Sequence, residues 1–313
     1  NTTLGPALGG TRMWHYAKHE DAVLDVLRLS RGMTFKASIA GLNLGGGKAV
    51  IIGDSRTMKN EALLRRFGKF VESLNGKYIT AEDVGMSTKD MEQIHTETGH
   101  VTGLPEYLGG SGDPSPVTAY GVYMGMKASA KHVYGSDNLN GKKVVVQGAG
   151  NVGRYLIQHL VNEGAEVMVA DIFEDRLKEV QAVAPQAKVI DPDSVFTQTM
   201  DIFAPCALGG ILNDHTIPSL TCAIVAGGAN NQLQEEGKHG AMLMDRGIAY
   251  APDFLINSGG LINVYGEIVG YNKEVAMKKA EYIYDVTRNI HKESAESLVS
   301  SGEVAVRFAQ ERI

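Results

Sequence analysis

The chain has 313 residues, of which 36 are acidic and 30 are basic, so its formal net charge is -6. This acidic balance gives no reason to expect a nucleic acid or an anionic membrane as a partner. The two cysteines, Cys206 and Cys222, have no paired spacing, and no apolar run is as long as a membrane span, so we expect a cytoplasmic protein. Its length allows two domains, and its start without methionine, within a strand-and-turn pattern, leads us to expect a preceding segment.

Helix and strand patterns alternate along the first third of the chain. Residues 20–30 and 60–74 have apolar residues at helical spacing, and Ala49–Ile52 is a short apolar strand. KYITAEDVG follows as a strand that runs into two carboxylates, and GLPEYLGGSGDPSP is a loop that marks the edge of a first domain. A long helix from about residue 117 to 134 comes next. The alternation predicts an α/β protein with parallel sheet.

The stretch AGLNLGGGKAVIIGD places Lys48 after three glycines, which raises the question of a phosphate-binding loop. A P-loop has the pattern G-x-x-x-x-G-K-[ST]. Leu42 stands where its first glycine belongs, and Ala49 stands where the magnesium-binding hydroxyl belongs. A phosphotransferase is therefore disfavoured, and Lys48 needs another role.

The sequence NGKKVVVQGAGNVG is the strongest single motif. Gly148, Gly150 and Gly153 follow an apolar strand and open a helix, as in a Rossmann dinucleotide-binding turn. Asp171 ends the next strand, where a carboxylate that binds the ribose is expected. No arginine follows Asp171 directly, so NAD is favoured over NADP, although Arg176 lies nearby.

Candidate acid-base groups lie in the first half of the chain, and amide groups lie in the second. Lys36, Lys48 and Asp83 could bind and activate a substrate if burial and a neighbouring cation lowered the pKa of Lys48. Asn230 and Asn231 end a later strand, where they either line a ligand crevice or cap a loop.

Several motifs, taken together, resemble one enzyme family along essentially the whole chain. They are GPALGGTRMW, RGMTFK, GLNLGGGKAVIIGD, ITAEDVG, GDPSPVTAYGV, QGAGNVG, IFAPCALGG, GGANNQL and INSGGLINV. Together they resemble the amino-acid dehydrogenases of the glutamate, leucine, phenylalanine and valine group, and most of all its leucine dehydrogenases.

The resemblance implies a substrate-binding domain and a Rossmann domain, with the active site in the cleft between them. We expect residues 1–118, completed by C-terminal helices at about 272–313, to form the first domain, and residues 119–271 to form the second. The implied reaction is NAD-dependent reversible oxidative deamination of an amino acid to a 2-oxo acid and ammonia. A large homo-oligomer is also implied. We expect no metal site, because His15 and His19 have a metal-like spacing but no third ligand is evident.

The family's functional residues carry over onto matching motifs. Lys36 would bind the substrate carboxylate, Lys48 would be the catalytic lysine and Asp83 would transfer protons with it. The other implied substrate and cofactor residues are Gly9, Met33, Thr118, Asn151, Val152, Asn230 and Asn231.

The identity of the substrate side chain is expected to depend on Leu8, Ala81, Leu261 and Val264. Relatives selective for glutamate have a lysine in place of Leu8, so an apolar substrate is implied, with leucine, valine or isoleucine favoured. GGLINVYGE departs from the leucine-type segment and resembles relatives that take aromatic substrates. An aromatic substrate, phenylalanine or tryptophan, is therefore the alternative, and a non-catalytic NAD-binding sensor is a further one.

Overall fold

The computed structural model describes residues 1–313, which divide into two compact units. Unit 1 comprises residues 1–113, 261–273 and 309–313, and unit 2 comprises residues 114–260 and 274–308. Both contain parallel sheet, as the alternating pattern predicts. None of the helices combines the length and the apolar character needed to cross a membrane.

Unit 1 is built on two small parallel sheets. In its three-stranded sheet, β1 lies between β3 and β5, and β2 pairs with β4 in the other sheet. Its elements are β1 (Ala7–Leu8), β2 (Thr11–Trp14), α1 (His19–Ile39), β3 (Gly45–Gly46), β4 (Ala49–Ile52), α2 (Glu61–Glu72), β5 (Tyr78–Ile79) and α3 (Thr88–His95), with a 3₁₀ turn at Glu106–Leu108.

Helix α1 is longer than the sequence pattern predicts. We expected a helix over residues 20–30, but α1 continues to Ile39. Gly32 does not end it, because its backbone stays out of the left-handed region and a Cβ there would meet nothing within 4 Å. Met33 and Lys36 therefore lie on a helix.

Helix α2 starts where Asn60 accepts a hydrogen bond from the backbone N–H of Leu63, as a helix N-cap does.

Unit 2 contains a six-stranded parallel sheet in the order β11-β10-β9-β6-β7-β8. Its elements are α4 (Ser115–Tyr134), β6 (Lys143–Gln147), α5 (Asn151–Glu163), β7 (Glu166–Ala170), α6 (Glu174–Val183), β8 (Lys188–Val189), β9 (Ile202–Pro205), β10 (Ile224–Val225), α7 (Glu236–Asp245), β11 (Ala249–Tyr250), α8 (Asp253–Ile256) and most of α10 (Lys273–Ser297) and α11 (Ser301–Arg312), with 3₁₀ turns at Pro192–Thr197 and Ile217–Ser219. Helix α9 (Gly259–Val269) starts in unit 2 and continues in unit 1.

The strand order of unit 2 is that of a Rossmann fold. Numbered within the unit, the strands run 3-2-1-4-5-6, so the order reverses between β6 and β9. Val144 on β6 pairs with Val167 on one side and with Ile202 on the other. The sheet interior is apolar, with Val145, Phe203 and Val225 essentially inaccessible to solvent. Ligands bind such sheets at the carboxyl ends of the strands beside the reversal.

The C-terminal helices differ from the expectation that residues 272–313 complete the first domain. Residues 274–308 belong to unit 2, and only 309–313 belong to unit 1. The reason is that α10 packs on α4, where small residues admit it. A Cβ on Gly121 would lie 2.8 Å from Ile283, and Ser129 hydrogen-bonds to the ring of His291 at 2.8 Å.

Candidate active site

The carboxyl ends of three parallel strands in unit 1 bring together distant parts of the sequence. Because β1 pairs with both β3 and β5, the residues that follow these strands meet at one edge of the sheet. Lys48 follows β3 and Asp83 follows β5. The Lys48 Nζ lies 3.1 Å from the Asp83 Oδ2, and the Lys48 side chain is only 8% exposed. The structure thus pairs the two predicted acid-base residues.

The three glycines before Lys48 bind no phosphate, because their backbone N–H groups are already used. Gly45 donates to Pro6, Gly46 to Asn1 and Gly47 to Leu8, all at carbonyl oxygens. A P-loop needs such N–H groups to point at phosphate. The glycines instead permit close packing: a Cβ on Gly46 would lie 2.0 Å from the backbone nitrogen of Thr34 on α1. Lys48 is therefore held against the body of unit 1.

Burial dominates the electrostatics of Lys48. Desolvation lowers the pKa of Lys48 below its usual range, since burial disfavours the charged ammonium. The Asp83 carboxylate opposes this shift of the pKa, and the Arg12 guanidinium adds to it. The arrangement fits a lysine that exchanges protons during a reaction.

Arg12 was not identified from the sequence. It lies on β2, and its Nε donates to the same Oδ2 of Asp83 at 3.0 Å. Its Nη1 donates to Asp25 on α1 at 2.9 Å. The only sequence signal is its place on a short strand that begins directly after Gly9 and Gly10, and surface arginines occupy such places as well.

The other predicted substrate residues of unit 1 lie on or next to β1, α1, β5 and α9. Gly9 follows β1, and a Cβ there would lie 1.8 Å from the carbonyl oxygen of Gly47 and 3.2 Å from Met33. Glycine at this position thus brings Met33 close to the strand ends. Leu8 and Leu261 are almost fully buried. The half-buried members of the set are Lys36 on α1, Ala81 after β5 and Val264 on α9.

The glycine turn of unit 2 lies between β6 and α5, at the reversal of the strand order. A Cβ on Gly148 would lie 2.8 Å from the backbone of Cys206, and one on Gly153 would lie 2.0 Å from the carbonyl oxygen of Gly148. A Cβ on Gly150, in contrast, would meet nothing within 4 Å. Two glycines therefore serve packing within the protein, whereas the third leaves space at the N-terminus of α5.

This space fits a dinucleotide pyrophosphate, which needs open backbone at a helix N-terminus. Asn151 and Val152 form the first turn of α5. Asp171 follows β7, and its Oδ2 accepts a hydrogen bond from the Ala149 backbone N–H at 2.7 Å. The predicted ribose carboxylate is thereby fixed beside the turn, and the Arg176 Nη1 lies 3.7 Å from it.

The remaining predicted residues lie elsewhere in unit 2. Asn230 and Asn231 follow β10, and Asn231 has a left-handed backbone with φ of 50°. The buried Asn257, which the sequence did not single out, donates from Nδ2 to the Asn230 Oδ1 at 2.8 Å and so fixes that side chain. Thr118 lies on α4, where its hydroxyl donates to the Pro114 carbonyl oxygen. Cys206 and Cys222 are free thiols.

Comparison with known proteins places the chain among amino-acid dehydrogenases. The model of the Glu/Leu/Phe/Val dehydrogenase dimerisation domain matches residues 1–100, and that of the Glutamate/Leucine/Phenylalanine/Valine dehydrogenase matches residues 109–172 and 168–310. Leucine dehydrogenase of Thermoactinomyces intermedius is 56% identical over 313 residues, covering 100% of this chain and 85% of that protein.

L-tryptophan dehydrogenase of Nostoc punctiforme is 47% identical, covering 100% of this chain and 87% of that protein. The crystal structure of the L-tryptophan dehydrogenase from Nostoc punctiforme superposes with a TM-score of 0.90 at 46% identity, covering 100% of this chain and 89% of that one. These matches confirm the family resemblance of the sequence motifs. The chain therefore belongs to the glutamate/leucine/phenylalanine/valine dehydrogenase family.

Proposed function

We propose that this protein catalyses the NAD-dependent reversible oxidative deamination of an apolar L-amino acid, of the leucine, valine or isoleucine type, to a 2-oxo acid and ammonia. The observation that carries this proposal is the buried Lys48 at 3.1 Å from Asp83, with the pKa of the lysine lowered by burial. The 56% identity to a leucine dehydrogenase supports it.

The residues of unit 1 divide the work on the substrate. Lys36 would pair with the substrate carboxylate, and Asp83 would accept a proton from the amino group. When bound, NAD would supply the acceptor for the hydride of the substrate Cα, so that the substrate would become a protonated imine. Lys48 in its neutral form would then take a proton from the water that attacks the imine carbon, and would return it as the carbinolamine breaks down to the 2-oxo acid and ammonia.

The residues of unit 2 would hold the cofactor. The turn at Gly148, Gly150 and Gly153, with Asn151 and Val152, would receive the pyrophosphate, and Asp171 would receive the ribose hydroxyls. A carboxylate at Asp171 repels a 2′-phosphate, which supports NAD over NADP. Thr118, Asn230 and Asn231 would contact the nicotinamide and the adjoining substrate.

An aromatic substrate is the second candidate, because GGLINVYGE resembles the segment of relatives that take aromatic substrates. Within this segment, a Cβ on Gly266 would lie 2.9 Å from the ring of Tyr271, so glycine leaves room for the protein's own Tyr271 against α9. Tyr271 also donates to the Asn263 Oδ1 at 3.0 Å. The 47% identity to an L-tryptophan dehydrogenase points the same way, but the identity to leucine dehydrogenases is higher.

We also infer a homo-oligomer that assembles through unit 1. The dimerisation-domain model covers residues 1–100. Large apolar side chains are exposed there, including Trp14 and Ile52, which pair in register on β2 and β4, and Leu27 on α1. Apolar groups of this size are commonly covered by a second subunit. The two free thiols agree with a location in the cytoplasm.

The test is the initial rate of NADH formation at alkaline pH with NAD and L-leucine, L-valine, L-phenylalanine, L-tryptophan or L-glutamate, with NADP in parallel. We expect the highest rate with an aliphatic substrate and NAD. Lys48→Ala should lose turnover by about 10³-fold or more while still binding NADH. Lys127→Ala, which breaks a lysine pair with Glu163 in unit 2, is the matched control and should keep turnover.

Two results would contradict the proposal. Turnover by Lys48→Ala at the wild-type rate would remove the assigned base. Absence of amino-acid oxidation by wild-type protein that binds NADH would instead favour a non-catalytic sensor.

A further inference from the structure

Arg12 is held in place from two sides within unit 1. Strand β2 lies between β4 and the backbone after β5, where Thr11 donates to the Ala81 carbonyl oxygen at 2.8 Å and Met13 to that of Val84 at 2.9 Å. This register sets Arg12, whose side chain is 23% exposed, beside Asp83. An arginine that joins two carboxylates in fixed directions is more than a solvated charge.

The far side of Arg12 is anchored by Asp25 and Tyr16. Asp25 accepts from the Arg12 Nη1 and from the Tyr16 hydroxyl at the same Oδ2. Burial, helped by the Asp25 charge, raises the pKa of Tyr16 to about 12. The Tyr16 hydroxyl therefore remains a hydrogen-bond donor to Asp25 at pH values where a tyrosine with an ordinary pKa begins to ionise.

The two cations bind the same oxygen of Asp83. The Lys48 Nζ and the Arg12 Nε lie 3.1 and 3.0 Å from Oδ2. Oδ1 is thereby left for a ligand. Because both the ammonium and the guanidinium hold Oδ2, the position of that oxygen is restrained, and Oδ1 is the oxygen of Asp83 that can accept a hydrogen bond from a ligand.

We propose that Arg12 is a positioning residue of the deamination reaction: it holds Asp83 so that Oδ1 faces the substrate amino group, and its permanent charge favours the neutral form of Lys48. This inference rests on the proposed function. It goes beyond the assigned roles of Lys48 and Asp83, since it adds Asp25 and Tyr16 as the support of Arg12.

The groups around Lys48 define the expected effect of pH. Besides Asp83 and Arg12, Asp25 acts on Lys48 from α1, which also carries Lys36 about three turns further along. Tyr78, whose ring packs on Gly47, is neutral because burial raises its pKa. Loss of Arg12 removes a positive charge and leaves Asp83 to Lys48 alone, and both changes raise the pKa of Lys48.

The experiment compares Arg12→Gln and Arg12→Lys with wild-type protein over a pH series. With Arg12→Gln, we expect the rising limb of kcat/KM for L-leucine oxidation to move up by about 1 pH unit, and the plateau kcat to fall about 10- to 100-fold. NADH binding should be unchanged. Arg12→Lys keeps the positive charge but lacks the planar guanidinium. The rising limb of kcat/KM should therefore return to its wild-type pH, while the plateau kcat stays low.

The matched control is Arg65→Gln. Arg65 also joins two carboxylates in unit 1, Glu61 and Glu97, but on the exposed face of α2. Arg65→Gln should leave both the rising limb of kcat/KM and the plateau kcat at their wild-type values. A merely structural contribution of Arg12 would lower the folded fraction without moving the limb.

A second readout does not depend on turnover. Acetylation of Lys48 by acetic anhydride, followed by peptide mass spectrometry over the same pH series, reports where Lys48 loses its proton, and Arg12→Gln should move that midpoint upward by about 1 pH unit. If Arg12→Gln does not fold, Tyr16→Phe should give a smaller shift in the same direction. Unchanged midpoints in the folded variants overturn the inference. An upward shift of the midpoint in Arg12→Gln, together with absence of amino-acid oxidation by wild-type protein, would overturn only the proposed function.

Discussion

Replacement of Gly150 by alanine adds one methyl group at the N-terminus of α5 at no steric cost to the protein itself. A Cβ there meets no heavy atom within 4 Å, and the φ of −66° is open to any L-residue. The free energy of unfolding should therefore stay within about 0.5 kcal/mol of the wild-type value.

The same methyl group would occupy the space assigned to the pyrophosphate. Overpacking of a tight contact costs about 1 to 3 kcal/mol, which corresponds to NADH binding that is about 5- to 150-fold weaker. Titration of NADH fluorescence measures the dissociation constant, and urea unfolding of the same samples measures stability.

Gly153→Ala is the control for this experiment. Its Cβ would lie 2.0 Å from the carbonyl oxygen of Gly148, so it should lower stability as well as binding. If Gly150→Ala bound NADH as tightly as wild-type protein, the turn would not be the pyrophosphate site, and the reasoning from open space would be refuted.

Three other substitutions test separate parts of the structure. Gly46→Ala, whose Cβ would lie 2.0 Å from Thr34, should destabilise the protein by about 1 to 3 kcal/mol, seen as a lower Tm. Asp171→Ser removes the carboxylate beside Arg176, so Arg176 becomes available to bind a 2′-phosphate. The ratio of the affinity for NADPH to the affinity for NADH should therefore rise about tenfold or more. Burial lowers the pKa of His291 in the folded protein from 6.5 to about 3. As the pH drops between these values, His291 is protonated in the unfolded protein but not in the folded protein, so the free energy of unfolding falls. His291→Gln should remove this contribution, up to about 1.4 kcal/mol per pH unit, in urea unfolding at pH 7 and pH 5.

The sequence predicted best where the constraint is local. The turn at Gly148 could be predicted because Gly148 and Gly153 are needed where backbone segments approach closely. The strand before this turn could be predicted from its run of apolar residues. Lys48 and Asp83 were candidate acid-base groups from the residues alone, but only the family resemblance assigned them a joint role. Their pairing depends on β1, β3 and β5, which have two residues each and are too short to show a periodicity.

Long-range packing explains what the sequence could not predict. The amphipathic pattern of α10 shows that one face is buried, but not that small residues of α4 admit it into unit 2. Likewise, Arg12 is distinguished only by the two carboxylates that it meets, Asp83 and Asp25, which come from other parts of the chain.

The division of the chain has a consequence for biosynthesis. Residues 309–313 belong to unit 1, where the carbonyl oxygen of Ala309 accepts from Ser38 at 2.7 Å and Arg312 donates to that of Leu42 at 2.7 Å. The chain that separates these partners contains all of unit 2. During synthesis on the ribosome, unit 2 can therefore form most of its structure before residues 309–313 contact unit 1. Unit 1 is thus the later of the two units to be completed.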